Sequence, residues 1–122
     1  MPRIGTFWGE YGGSFNFLET AMASTDTCFE IVHFAFLSDI TPERETEAMK
    51  ALGRWAAAQP GFVSRQSYHD PRQSRWTDVV EWLSLAQATA AMERSQHDTA
   101  LASVMAHIDP ATVRAGHFEK RI

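Results

Sequence analysis

Residues 28–37, Cys-Phe-Glu-Ile-Val-His-Phe-Ala-Phe-Leu, are apolar at nearly every position. The run is too short to cross a bilayer, which takes roughly 20 apolar residues. Its β-branched and aromatic content is that of a strand. Alternation puts Cys28, Glu30, Val32 and Phe34 on one face and Phe29, Ile31, His33 and Ala35 on the other. Only Glu30 and His33 interrupt the two apolar faces. A strand of this kind belongs to a sheet that is covered on both sides.

The rest of the chain supplies candidates for one cover. Thr41-Pro42-Glu43 predicts a helix start: a capping hydroxyl, proline at the first helical position and an acid in the first turn. The helix runs to about Gln59, where Pro60-Gly61 stops it. Ala48, Leu52, Trp55 and Ala56 recur at helical spacing as its buried face, and Glu43, Glu45, Glu47, Lys50 and Arg54 are expected to face water. Phe62 to Asp70 alternates like a half-exposed strand. Residues 70–74 are a turn of hairpin length, and Arg75 to Leu83 return as a third strand. Ser84 caps a helix from about Leu85 to Arg94. A break at 95–98 precedes a short helix, Thr99 to Ile108, and Thr112 to Ile122 close as a strand.

Strand, helix, strand, strand, helix, strand is the split βαβ, ferredoxin-like order. The expected fold class is therefore α+β, an antiparallel sheet with its helices on one face. The other face keeps the large apolar groups of the first strand, a patch unusual on a monomer. Two copies closing face to face bury it, so a homodimer is expected. Residues 1–27 are set apart from this 28–122 domain. They mix Gly5, Gly9, Gly12 and Gly13 with Phe7, Trp8, Tyr11, Phe15 and Phe17. Disordered tails are poor in aromatics, so an irregular arm packed on the domain or on a partner subunit is expected.

One cysteine, Cys28, among 122 residues excludes an internal disulfide and suits a reducing compartment. The first ten residues lack the apolar core of a signal peptide, so a cytoplasmic location is expected, with no membrane partner. The net charge is -4 and the basic residues are scattered, which argues against nucleic acid as a partner.

The strand at 28–37 leading into Thr41-Pro42-Glu43-Arg44, with Gln59-Pro60-Gly61-Phe62-Val63 and Val79-Val80-Glu81-Trp82-Leu83-Ser84 before an alanine-rich helix, resembles the dimeric α+β barrel superfamily over about residues 28–122. Pro60-Gly61-Phe62 and Glu81-Trp82 followed by Ser84 are similar to its antibiotic-biosynthesis-monooxygenase-like branch. Ile31-Val32-His33-Phe34 and His97 are similar to its stress-responsive A/B barrel branch. The resemblance implies a range of activities: cofactor-free oxidation of aromatic polyketides, haem degradation, muconolactone-type isomerisation, chlorite chemistry, or none. The haem-degrading members share an asparagine on the first strand, a tryptophan on the helix after the third, and a later histidine. Here the first strand has no asparagine, and the helix position is near Ala91. Only His97 or His107 could stand for the histidine, so haem is not favoured as a cofactor and none is expected. Haem held by His33 or His107 stays open as a lesser reading. Residues 7–15 also resemble the opening segment of the tryptophan synthase β chain. The only lysines are Lys50, on a solvent-facing helix position, and Lys120, so no pyridoxal-phosphate site follows.

The chemistry-bearing residues offer an apolar pocket with a few proton carriers. His33, Tyr68 and Trp76 are expected to edge a cavity between sheet and helices, with His97 or His107 at its mouth. Trp76, Asp78, Val80 and Trp82 share one strand face, and Asp78 beside Trp82 would suit a flat aromatic ligand. His33, Tyr68, Trp76 and His97 are the candidate catalytic residues; Asp78, Trp82 and His107 are the candidate binding residues. Each has a plainer role: a hydrogen-bonded core histidine, an interface tyrosine, a tryptophan in a dimer core. Glu81 is expected as a buried acid or as the partner of Arg65 or Arg114. His97 and His107, ten residues apart across a break, do not share a helix face, so no metal site is expected. The expected function is a cofactor-independent monooxygenase-like or isomerase-like enzyme on a small aromatic or enolisable compound. The alternative is a non-enzymatic ligand-binding or assembly domain.

Overall fold

The structure, a computed structural model, describes residues 27–122. The expected N-terminal arm, Thr27 excepted, lies outside the described residues. The elements run β1 (Cys28–Phe34), α1 (Pro42–Ala57), β2 (Phe62–Asp70), β3 (Arg75–Trp82), α2 (Leu85–Ser95), α3 (Thr99–Met105), a 3-10 turn (Pro110–Thr112) and β4 (Arg114–Phe118). The four strands form one antiparallel sheet in the order β2-β3-β1-β4. This is the expected ferredoxin-like arrangement.

Local chemistry sets the helix ends. The Thr41 hydroxyl accepts from the Arg44 amide, Ser84 from Gln87 and Asp98 from Leu101; each satisfies a donor that the first helical turn leaves free. After α1 the chain reverses at Gly61, whose φ of 85° suits glycine. The Gly61 carbonyl then accepts from the Leu83 amide at 2.8 Å, tying the start of β2 to the end of β3.

Three elements end well short of expectation. β1 stops at Phe34 because the chain leaves the ladder there: Phe36 makes only an isolated bridge to Ile108, while Leu37 donates to the His107 carbonyl. α3 ends at Met105, where Ala106 takes the cap. β4 is five residues long, framed by the Asp109-capped 3-10 turn before it.

The even-numbered residues of β1 and β3 face the helices. Val32 and Phe34 pack with Ala48 and Met49 of α1 and with Leu101 and Met105 of α3. Cys28, Val80 and Trp82 pack with Leu85, Ala88 and Ala91 of α2. Full burial of one such side chain contributes about 1.5–3 kcal/mol. The opposite face holds Phe29, Ile31, Val79, Tyr68 and Phe118, of which Tyr68 and Phe118 are exposed; no described helix covers it.

Candidate functional site

Two concavities bear on function. The first is a cavity of about 90 Å³ between the sheet and the helices. Glu30, Asp78, Val80, Trp82 and Arg65 line it from the strands, Leu52, Trp55 and Met92 from α1 and α2, and Leu101 and Met105 from α3. The lining is nearly all apolar, yet an acid–base–acid set sits in it. The volume is well below the roughly 300 Å³ of a drug-sized site.

Sheet register explains how the polar groups gather. Glu30 pairs with Val80 on one side and His117 on the other, and Val80 pairs with Arg65. His117, Glu30, Val80 and Arg65 thus form one row across all four strands, on the helix-facing side. Glu30 and Arg65 flank Val80 at opposite ends of the cavity floor, two strand spacings or about 10 Å of backbone apart.

At the Arg65 end, Nε lies 2.9 Å from the Asp78 carboxylate and Nη1 donates to the Met49 carbonyl at 2.8 Å. The Ser67 hydroxyl donates to Asp78 at 2.6 Å. Nη2 of Arg65 is buried with no partner, and so is Nε1 of Trp82. Buried donors are nearly always paired, so two orphans on one cavity lining are unusual. At the other end, His117 Nε2 lies 3.3 Å from Glu30 Oε2 without a hydrogen bond between them, and both side chains are about nine-tenths buried. Beside them, burial first and the Glu30 charge second push the Cys28 thiol up to about 11, so it is neutral and no nucleophile.

The second concavity is an open cleft of about 390 Å³ at the β2–β3 hairpin, lined by His33, Tyr68, His69, Asp70, Gln73, Arg75, Trp76 and Thr77. His33 Nδ1 lies 2.8 Å from the Thr77 hydroxyl. The Trp76 indole donates to Glu45 at 2.8 Å, and its ring lies 4.7 Å from that of His69.

The expected site residues therefore separate. Asp78 and Trp82 line the inner cavity. His33, Tyr68 and Trp76 do come together, but in the outer cleft; His33 and Tyr68 sit on the sheet face turned away from the helices and cannot edge the inner cavity. His97 is exposed in the turn before α3 and His107 is half-buried after it; neither lines either concavity. Glu81 is half-buried on the open face and is met by the Ser64 hydroxyl at 3.5 Å, so neither Arg65 nor Arg114 is its partner. Glu45 does not face water as expected, because Trp76 holds it. Sequence reasoning passed over Glu30 and His117 as site residues. The available signal was the charged interruption at Glu30 in an otherwise apolar face. Among the described residues no group of three or more His, Cys, Asp or Glu could hold a metal, and no helix is long and apolar enough to cross a membrane.

No family model and no curated protein sequence matches the chain. Solved structures do match in fold. SnoaB, a cofactor-independent oxygenase from Streptomyces nogalater, superposes with a TM-score of 0.61 at 17% identity, over 80% of this chain and 95% of its own. A dimeric ferredoxin-like protein of unknown function from Thermobifida fusca gives 0.62 at 18% identity, over 77% and 91%. A candidate antibiotic biosynthesis monooxygenase from Nitrosomonas europaea gives 0.62 at 13% identity, over 80% and 92%. The chain has the fold of the antibiotic-biosynthesis-monooxygenase-like dimeric α+β barrel proteins.

Proposed function

We propose that the protein is a cofactor-independent oxygenase-like enzyme acting on a small aromatic or enolisable compound held in the inner cavity. The observation that carries this is a nearly apolar cavity whose lining residues include Arg65 and Trp82, each with a buried donor that has no partner. Such donors suit an acceptor oxygen on a flat ligand. A cation aimed at that oxygen stabilises the anion formed when the ligand loses a proton. That anion is the species able to give electrons to dioxygen directly. A methylene compound would go to a ketone with release of water, and a hydroquinol to a quinone with release of hydrogen peroxide. SnoaB's fold and its freedom from cofactors support the reading. The bare sheet face supports a homodimer closed through Phe29, Ile31, Val79 and Phe118.

Oxygen uptake by the metal-free protein, with single-ring hydroquinols and catechols, tests this. Uptake above the spontaneous rate that falls at least tenfold in Trp82→Phe supports it. No uptake with any of them refutes the oxygenase activity for this ligand size.

A second reading has its own observation. The outer cleft has ligand-pocket volume and joins His33, Tyr68 and Trp76. There His33 would carry the proton, or the cleft would bind without reaction. His33→Ala separates these: lost activity with an intact fold assigns His33 the chemistry, and full activity removes it.

A further inference from the structure

We propose, resting on the second reading above and not on the inner cavity, that the outer cleft binds a flat aromatic carboxylate. Its ring lies between Tyr68 and His33, and its carboxylate meets Arg75.

Register builds the cleft. Thr77 pairs with Tyr68 of β2 on one side and with His33 of β1 on the other, so the three form one row on the open sheet face. The short Thr77 side chain is the floor and the two rings are the walls. The walls rise from strands two spacings, or about 10 Å of backbone, apart. Aromatic rings pack at centroid distances of about 4.5–7 Å, so one ring held between two others spans about 9–14 Å. The gap over Thr77 therefore has the width of one flat ring. The Thr77 hydroxyl lies 2.8 Å from His33 Nδ1, which sets the tilt of that wall and leaves Nε2 without a partner among the described residues. The Tyr68 hydroxyl has none either, and the residue is 59% exposed.

The two ends of this slot differ. β1 stops at Phe34, opposite Trp76, while the hairpin continues one pair further, to Arg75 opposite Asp70. Arg75 is two residues from Thr77 on the same strand, so its side chain rises from the same face at the hairpin end. Among the described residues its guanidinium has no hydrogen bond or ion pair, not even with Asp70. Asp70, the only acid of the lining, has its Oδ1 engaged by the Arg72 amide at 2.9 Å. In the other direction the next residue of β3 on this face is the half-buried, apolar Val79. A free, planar cation at one end suits a carboxylate, which it can hold through two parallel hydrogen bonds. A ring without the anion leaves Arg75 unmatched, and an anion without the ring leaves the walls empty. The volume of about 390 Å³ is that of a small-molecule site.

The probe is 2-naphthoate, whose own fluorescence reports the bound fraction, with 2-naphthamide as its neutral match. Wild-type protein is expected to bind one naphthoate per chain, at least tenfold more tightly than the amide. Arg75→Gln is expected to weaken naphthoate at least tenfold, the scale of a lost charged hydrogen bond, and to leave the amide within about twofold. Tyr68→Ala is expected to weaken both probes at least fivefold. Arg72→Gln, in the same turn but off the lining, and Trp82→Phe in the inner cavity are expected to change neither. Inorganic phosphate at equal concentration is expected not to displace naphthoate. Circular dichroism and the thermal midpoint check that each variant folds. Equal binding of the two probes overturns the carboxylate and leaves the cleft reading standing. Equal losses in Arg72→Gln and Arg75→Gln, or displacement by phosphate, overturn the assigned contacts. Naphthoate binding that Trp82→Phe weakens and Tyr68→Ala does not would move the ligand to the inner cavity and overturn the site. Failure of wild type to bind either probe overturns both this inference and the outer cleft as a site for small aromatic compounds.

Discussion

The Arg65–Asp78 pair can be removed in two ways with opposite results. Asp78 is 9% exposed and takes Arg65 Nε at 2.9 Å and the Ser67 hydroxyl at 2.6 Å. Asp78→Leu leaves a buried guanidinium with the Met49 carbonyl as its remaining partner. Breaking a buried pair from one side costs about 3–5 kcal/mol. The two side chains keep 12% and 13% of their exposure, which places the cost near ~3 kcal/mol, the lower end of that range. For a domain of 60–100 residues, about 4–8 °C is lost per kcal/mol, so Tm should fall by roughly 12–24 °C. Adding Arg65→Met removes the stranded charge, and exchange of a whole buried pair for apolar groups is often neutral. The double variant should recover to within about 1 kcal/mol of wild type, a coupling far above the few tenths expected of independent sites. Urea unfolding of the wild type, both single variants and the double gives the cycle. A loss below about 1 kcal/mol for Asp78→Leu, or a double variant no better than it, would refute the account of a buried, mutually dependent pair.

Four further outcomes follow from the geometry. A Cβ at Gly53 would sit 2.5 Å from Arg65 Nη1, so Gly53→Ala should lower Tm although alanine favours a helix by about 1 kcal/mol. Cys28 should resist iodoacetamide at pH 8 in the native protein and react fully in denaturant; its thiol ionises near 9.0 when unfolded and about 11 when folded, so the stability it contributes is complete below pH 9 and lost as pH rises toward 11. The Asp98 carboxyl is held low, first by the Leu101 amide and then by the Trp55 indole, so its stabilisation is present above its ordinary 3.8 and lost as acid titrates it; Asp98→Asn should flatten that acid limb, and an unchanged limb would be inconsistent with the cap. Ile31→Lys in the middle of the open sheet face should convert a dimer to a monomer by light scattering, and a variant that stays dimeric would place the interface elsewhere.

The sheet order was legible because each element carried its own signal. Alternation marked β2 and β3, Thr41-Pro42 and Ser84 marked helix starts, and Pro60-Gly61 marked a stop. The site was only half legible. Period-two reasoning correctly grouped Trp76, Asp78, Val80 and Trp82, since strand faces follow from backbone geometry alone. It could not say which face the helices would cover. His33 and Tyr68 were therefore assigned to the inner cavity when register sets them on the outer face. The row from His117 to Arg65 depends on pairing between residues as far apart in sequence as Glu30 and His117, 87 positions, which no local pattern encodes. Glu81 was matched with Arg65 on charge alone, whereas Arg65 and Asp78 share a face and Glu81 lies on the other.

The tie between Trp55 and Asp98 governs more than helix capping. The Trp55 indole donates to Asp98 at 3.0 Å while the same carboxylate caps α3 through the Leu101 amide at 2.9 Å. α3 has seven residues, too few to persist in isolation. Its Leu101 and Met105 are one wall of the inner cavity. Transient unfolding of this single short segment is thus the least costly way to open the inner cavity. The latch of that opening is the indole of a different helix, so the exchange of ligand and the hydrogen exchange of the α3 amides should quicken together when Trp55 is replaced by phenylalanine.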